Sequence, residues 1–512
     1  MAVRLTRRQF VAAAAAGVTV TANLKADDAA PPKILVKPYV QPGNGSGLGK
    51  SDVKVLCWFT EQKPGEFVVE YEVPGRPVGT VTPERVALDF DKGPEPKKVE
   101  PEKPKDSEVP PEKTAPVPTE QEQHYFKYVA RLNDLPFDAE ILYRVKLGET
   151  VVREASFRAR ASAGKSVRLA LVGDLANGKE QQNAIAYRIS EEKPDFLVAL
   201  GDITYPAGRV SQYMHFFWPT YNDTETASAA KGAPLMASLP VYPVLGNHDV
   251  AAKFPTIPDA LGAYYFFHVP QNGPGTGPWT TALGSDKAAA TRFRAATGDC
   301  YPALDAYSFV YGPAHIVALN SNQSGNVDQP KLRQWVEEDL KNSSARWKFV
   351  CFHNPAFSSS HQHYTEQSVR GWQTLFETCG VDVVFCGHVH NYQRSKPLKF
   401  EPTSPHRDKR GRLDGDFTID DEFDGKKNTR PEGVIHIVAG GGGATLYGPG
   451  LDKTAVTLKK EHGDNYADYT AKMVVDRHTF VIVDLTPDSF DLRAIDVTGK
   501  MFDQMIITKL PK

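Results

Sequence analysis

Five short stretches of this chain end in residues that hold metals or move protons. They are Gly173-Asp174, Gly201-Asp202 with Tyr205 three residues on, Gly246-Asn247-His248-Asp249, His353, and Gly387-His388-Val389-His390. A lone Gly-Asp is more often a turn or a helix cap than a ligand. Five such ends in succession, mixing Asp, Asn and His, exceed what turn chemistry explains. Asp174 and Asp202 offer hard anionic oxygens, Asn247 a neutral oxygen, and His353, His388 and His390 borderline nitrogens, a set that suits transition metals. On extended backbone His388 and His390, two apart, point the same way and reach one site or two adjacent ones.

Each stretch follows an apolar run: Val167 to Val172, Phe196 to Leu200, Val241 to Leu245, Phe349 to Phe352 and Val381 to Cys386. Continuous apolar runs closed by turn residues predict buried central strands, with helices over Gln181 to Glu192 and Pro330 to Leu340 between them. This is an α/β pattern, in which loops at the carboxyl ends of strands converge on one crevice. From Pro38 to about Arg160 the pattern is different. Short β-type runs (Val53 to Phe59, Phe67 to Tyr71, Tyr125 to Leu132, Ile141 to Lys146, Val151 to Phe157) predict a small all-β sandwich. Its middle, 92–123, is rich in Pro, Lys and Glu and reads as a flexible surface insertion.

The ordered set "GDLA", "GDITY", "GNHD", "VCFHNP" and "GHVHNYQR" resembles the calcineurin-like metallophosphoesterase signature, and Tyr205 resembles the purple acid phosphatase branch. "PYVQPG" and "ARLNDLPFDAEILYRV" resemble the fibronectin-type-III-like module that precedes the catalytic domain in that branch. The resemblance implies a β-sandwich over 27–162 followed, over 163–512, by an α/β metallophosphoesterase domain of two mixed sheets flanked by helices, a four-layer αββα sandwich. It implies two metal ions. Asp174, Asp202, Tyr205 and His390 would hold metal one, and Asp202 would bridge to metal two, held also by Asn247, His353 and His388. A phenolate oxygen from Tyr205 favours Fe(III) at metal one; Zn, Mn or Fe(II) remain open at metal two. The general superfamily has His two residues after the first Asp, where this chain has Ala176; the purple branch usually has Gly there.

The implied chemistry is hydrolysis of a phosphomonoester by attack of a metal-bound hydroxide. His248 is the candidate acid for the leaving group, with Asp249 placed to orient it. Asn247, His248, His361 and His363 are the candidate substrate contacts, His363 resembling the family's substrate-contacting histidine. Phosphodiester hydrolysis at the same metals is the alternative, and a non-catalytic surface-binding protein is the reading from a different class.

Thr6-Arg7-Arg8-Gln9-Phe10 followed by the apolar run Val11 to Ala22 resembles a twin-arginine signal over 1–26, cut after Ala26. It predicts export of the folded protein to a periplasmic or extracellular location. The run falls short of the roughly 20 residues that span a bilayer, so no membrane span is expected. Among 512 residues, 60 Lys and Arg face 62 Asp and Glu, so no bulk charge draws the chain to nucleic acid. Five Cys cannot make a disulfide framework. Gly440 to Gly443 lack a following Gly-Lys-Ser/Thr and are expected to allow close backbone approach, His436 to be structural, and the acidic stretch 414–425 to be a solvated loop.

Overall fold

The computed structural model describes residues 30–90, 123–322, 328–404, 406–408, 412–448 and 467–510. The signal segment 1–26 and nearly all of the insertion lie outside the described residues. Gln123, read as the end of that insertion, instead opens the strand Gln123–Leu135.

The N-terminal region is two antiparallel four-stranded sheets. One runs in the order Ile34–Gln41, Asp52–Glu61, Gln123–Leu135, Glu84–Phe90, and the other Gly79–Val81, Phe67–Glu72, Glu140–Leu147, Thr150–Arg158. Between them Trp58 stacks on Tyr128 (5.4 Å between centroids) and meets the edge of Phe67 (5.3 Å), a packing that aromatic quadrupoles favour. The first sheet is buried on its other face too, where Tyr39, Cys57, Phe59 and Phe90 join the main core of the following domain. That explains why Val53 to Phe59 is apolar at every position but Lys54, which is itself buried and paired with Asp52: alternation belongs to strands with one wet face. The strands Ile34–Gln41, Gly79–Val81 and Glu84–Phe90 were not legible; the second is only three residues long, and the third mixes three charged residues among its apolar ones.

The second domain has two mixed sheets. Val241–Pro243, Phe196–Ala199 and Val167–Val172 run parallel and continue into the antiparallel strands Thr479–Leu485, Ser489–Asp496 and Met501–Thr508. The other sheet is built on the parallel strands Ala314–Leu319, Trp347–Phe352, Val383–Cys386 and Ile435–Ala439, with antiparallel neighbours at both edges. The helices Pro330–Asn342 and Gln373–Cys379 bury Leu332, Val336, Leu340 and Phe376 against it, and Glu180–Glu192 buries Ile185 and Ile189 in the core of the first. This is the expected αββα layering. In the acidic stretch the solvated-loop expectation is corrected: Gly415–Ile419 is a strand paired with Leu398–Pro402, held by Phe400 beside Phe417.

Parallel strands bring their carboxyl ends to one edge. Gly173, Gly201, Gly246, Gly387 and Gly440 lie there because the loops cross almost in contact. A Cβ on Gly246 would meet Asp202 Oδ1 at 2.0 Å, and one on Gly201, itself at φ +86°, would meet His353 Nδ1 at 2.4 Å.

Candidate metal centre

Asp174, Asp202 and His388 all have positive φ (61°, 49° and 68°), a strained backbone for residues other than glycine. The strain aims their side chains into one buried space. There the Tyr205 hydroxyl lies 3.0 Å from Asp174 Oδ1, 3.1 Å from Asp202 Oδ2 and 3.1 Å from His390 Nε2. His353 Nε2 lies 3.2 Å from both Asp202 Oδ2 and Asn247 Oδ1. Donor atoms of Asp202, His353 and His388 all fall within 4.8 Å of one another. All seven side chains expected around the metals therefore meet, and Asp202 sits between the two groups.

The free nitrogen of each imidazole is set by what its other nitrogen does. His390 donates Nδ1–H to Thr445 O (2.7 Å) and His353 donates Nδ1–H to Leu200 O (2.7 Å), so Nε2 of each is left for the centre. His388 works the other way: its Nε2 meets Glu366 Oε2 at 2.8 Å, leaving Nδ1. Burial opposes charge on Asp202, yet His353 and His248 beside it hold its carboxyl far below the usual range. Burial would likewise depress His353, but Asp202 and Asp174 raise it to about 10. Buried carboxylates that stay charged and favour a positive imidazole beside them favour a metal cation for the same reason, and hard oxygens with borderline nitrogens fit a pair of transition metals.

His248 stands at the rim with Nδ1 2.6 Å from Pro206 O and Nε2 3.9 Å from Asp202 Oδ2. The expectation that Asp249 orients it is corrected. Asp249 is 1% exposed and turns inward, accepting from Gly246 N (2.8 Å) and Ile203 N (3.0 Å) and lying 3.3 Å from the Tyr213 hydroxyl. His248–Val250 is a tight helical turn, in which successive side chains point about 120° apart. Asp249 therefore clamps two metal-site loops together, and the Pro206 carbonyl orients His248.

His363 lies with its ring 4.0 Å from that of His388, its Nδ1 2.6 Å from Glu366 Oε1, and its Nε2 3.4 Å from the Tyr447 hydroxyl. His361 has its Nδ1 buried without a hydrogen-bond partner. Sequence reasoning missed Glu366 and Tyr447. Glu366 links His363 to His388 and also accepts weakly from Asn354 Nδ2 (3.4 Å). Its only signal was the three-residue spacing from His363. Tyr447 stacks on His390 at 4.1 Å, carried there by the loop after Gly440–Gly443.

Residues 167–392 match the calcineurin-like phosphoesterase family, and that span contains all seven of these side chains. They form a calcineurin-like phosphoesterase domain. Curated relatives of the chain that carries it include an uncharacterized protein of Mycobacterium tuberculosis, 26% identical over 353 residues (62% of this chain, 58% of that one). Another is the Fe(3+)-Zn(2+) purple acid phosphatase 12 of Arabidopsis thaliana, 26% identical over 279 residues (52% of this chain, 51% of that one). The chain thus spans a little over half the length of these relatives. Among solved structures, purple acid phosphatase PPD1 from yellow lupin (Lupinus luteus) seeds superposes with a TM-score of 0.60 at 16% identity, covering 93% of this chain and 74% of that one. The likeness shows that the N-terminal sheets and the phosphoesterase domain share one known fold.

Proposed function

We propose that this chain is an exported, dinuclear metal-dependent phosphatase that hydrolyses phosphomonoesters. The observation that carries this reading is the convergence of Asp174, Asp202, Tyr205, Asn247, His353, His388 and His390 on one buried site, with Asp202 between the two ligand groups. The phenol of Tyr205 supports Fe(III) at metal one, as does the name of the Arabidopsis relative, which also carries Zn(2+). Zn, Mn or Fe(II) would occupy metal two. Two such cations, when bound, neutralise the ester's charge and make a nucleophile available at mild pH.

The protein's own residues do the rest. With Nδ1 tied to the Pro206 carbonyl, His248 presents Nε2 beside Asp202, where it holds a proton for the leaving alcohol oxygen. His363, fixed by Glu366, presents Nε2 on the opposite side, where it binds and orients phosphoryl oxygens. Tyr447 walls the rim above His390 and keeps bulk water from that edge. Export is supported by the Arg7-Arg8 signal pattern. No helix among the described residues is long and apolar enough to cross a membrane.

Nitrophenol release from a phosphomonoester and from the matching diester, measured side by side on metal-loaded protein, tests the proposal. It expects a strong monoester preference. Diester preference would replace the substrate class, and silence on both with metals bound would overturn the enzyme reading.

A further inference from the structure

Behind the loop that carries His363 and Glu366 lies a second cavity, of about 250 Å³. Tyr364 and Gln367, which flank Glu366, form one wall; Phe417, Ile419, Tyr469 and Arg370 form others. Arg370 is 5% exposed. Its Nε–H donates to Ala356 O at 2.9 Å, and its guanidinium carbon stands 4.8 Å from the Phe357 ring centre, 5.7 Å from Phe400 and 6.0 Å from Phe417. Among the described residues no carboxylate comes within 4.0 Å of it. Asp414 and Asp468 also line the cavity, but both are exposed to solvent. Arg412, the other cation of the lining, is engaged by Asp408 at 3.0 Å.

A guanidinium taken out of water with no carboxylate in contact is costly, and the aromatic faces, the Tyr469 hydroxyl and the more distant, solvent-exposed Asp414 offset only part of that cost. Its fork matches a carboxylate bidentately. Tyr364, Phe417 and Tyr469 supply flat rings to the wall, Leu413 and Ile419 add aliphatic surface, and the volume lies below the roughly 300–1,000 Å³ typical of drug-sized ligands, so it suits a single ring. We propose that this cavity is a binding site for a small planar organic anion, a carboxylate on one flat ring. The carboxylate pairs with Arg370 and the ring lies against Tyr364 and the stacked pair of Phe417 and Tyr469, whose centroids are 5.6 Å apart. The site is separate from the metal centre, on the far side of the loop that presents His363, and does not depend on the phosphatase reading.

Benzoate and benzamide, alike in shape and different in charge, are the probes, titrated by calorimetry into metal-loaded full-length protein. Benzoate should bind at least about tenfold more tightly than benzamide, the worth of a charge-assisted pair, and saturating inorganic phosphate should leave its affinity unchanged. Arg370→Met should erase the preference for benzoate. Ile419→Trp, which fills the cavity from a partly exposed wall and leaves Arg370 in place, should abolish binding of both. No binding to the wild type, equal affinity for the two probes, displacement of benzoate by phosphate, or undiminished binding in Ile419→Trp would each overturn the proposal.

Discussion

Glu366 accepts from His388 Nε2 at 2.8 Å and so decides which nitrogen of His388 can face a metal. Its other oxygen lies 2.6 Å from His363 Nδ1, so one carboxylate orients both the imidazole proposed to hold a metal and the one proposed to contact substrate. Carboxylates in that position typically carry 10–100-fold in metal affinity. Glu366→Gln, which cannot accept from both imidazoles, should weaken the second metal by about that factor and also raise KM. Metal titration followed by initial-rate kinetics checks both effects; an unchanged metal affinity would remove Glu366 from this role.

His248 and Asp249 are neighbours in sequence with different work, so their variants should fail differently. His248→Ala should lower kcat by roughly 10²–10⁴ while metal content stays unchanged. Asp249→Ala strips the partner from two buried backbone N–H groups, Gly246 and Ile203, at a cost on the order of 1–3 kcal/mol each, and loosens the loops that hold Asp202 and Asn247. Its metal content should therefore fall. Elemental analysis of both purified variants separates the two: metal loss in His248→Ala would place His248 among the ligands.

The N-terminal sheets should not unfold on their own. Phe59 is fully buried and packs 5.0 Å from Phe266 across the boundary, and Tyr39 donates to Phe266 O at 2.9 Å. Calorimetry should show one unfolding transition, and Phe59→Ala should shift the whole of it, at a cost of about 3–5 kcal/mol. Two resolved transitions, with only one moved by the substitution, would contradict this.

Asp305 gives a pH dependence whose sign can be worked out. Burial raises its carboxyl from 3.8 to about 6, against hydrogen bonds from Asn320, Tyr264 and Thr281. The folded state thus keeps a proton that the unfolded chain loses near 3.8, so Asp305's contribution is fully present below that pH. As pH rises toward about 6 the contribution is lost, about 3 kcal/mol in all. Asp305→Asn should remove this drift. Denaturant midpoints of wild type and variant at both ends of the window, taken as a difference, check it; parallel curves would contradict the assignment.

Much of the phosphoesterase domain was legible because buried parallel strands announce themselves as apolar runs ending in turn residues. Val167–Val172 and Phe196–Ala199 lie where those runs do. The donor residues were legible for the same reason, since each follows its strand within a few positions. Glu366 and Tyr447 were not, because their places depend on loop paths that no periodicity encodes. Asp249 was misread because adjacency along the chain suggested adjacency of side chains, which a tight helical turn denies. The strand Gly415–Ile419 escaped because it is short and largely exposed, and its one ring, Phe417, is brought to Phe400 only by the fold.

A pair of metals joined through Asp202 predicts a definite metal stoichiometry, measured in wild type and in Asp202→Asn. The wild type should bind two equivalents per chain, and the variant, which loses the shared anionic oxygen, should lose tight binding of both. A single equivalent in the wild type, or both metals retained in Asp202→Asn, would contradict the account.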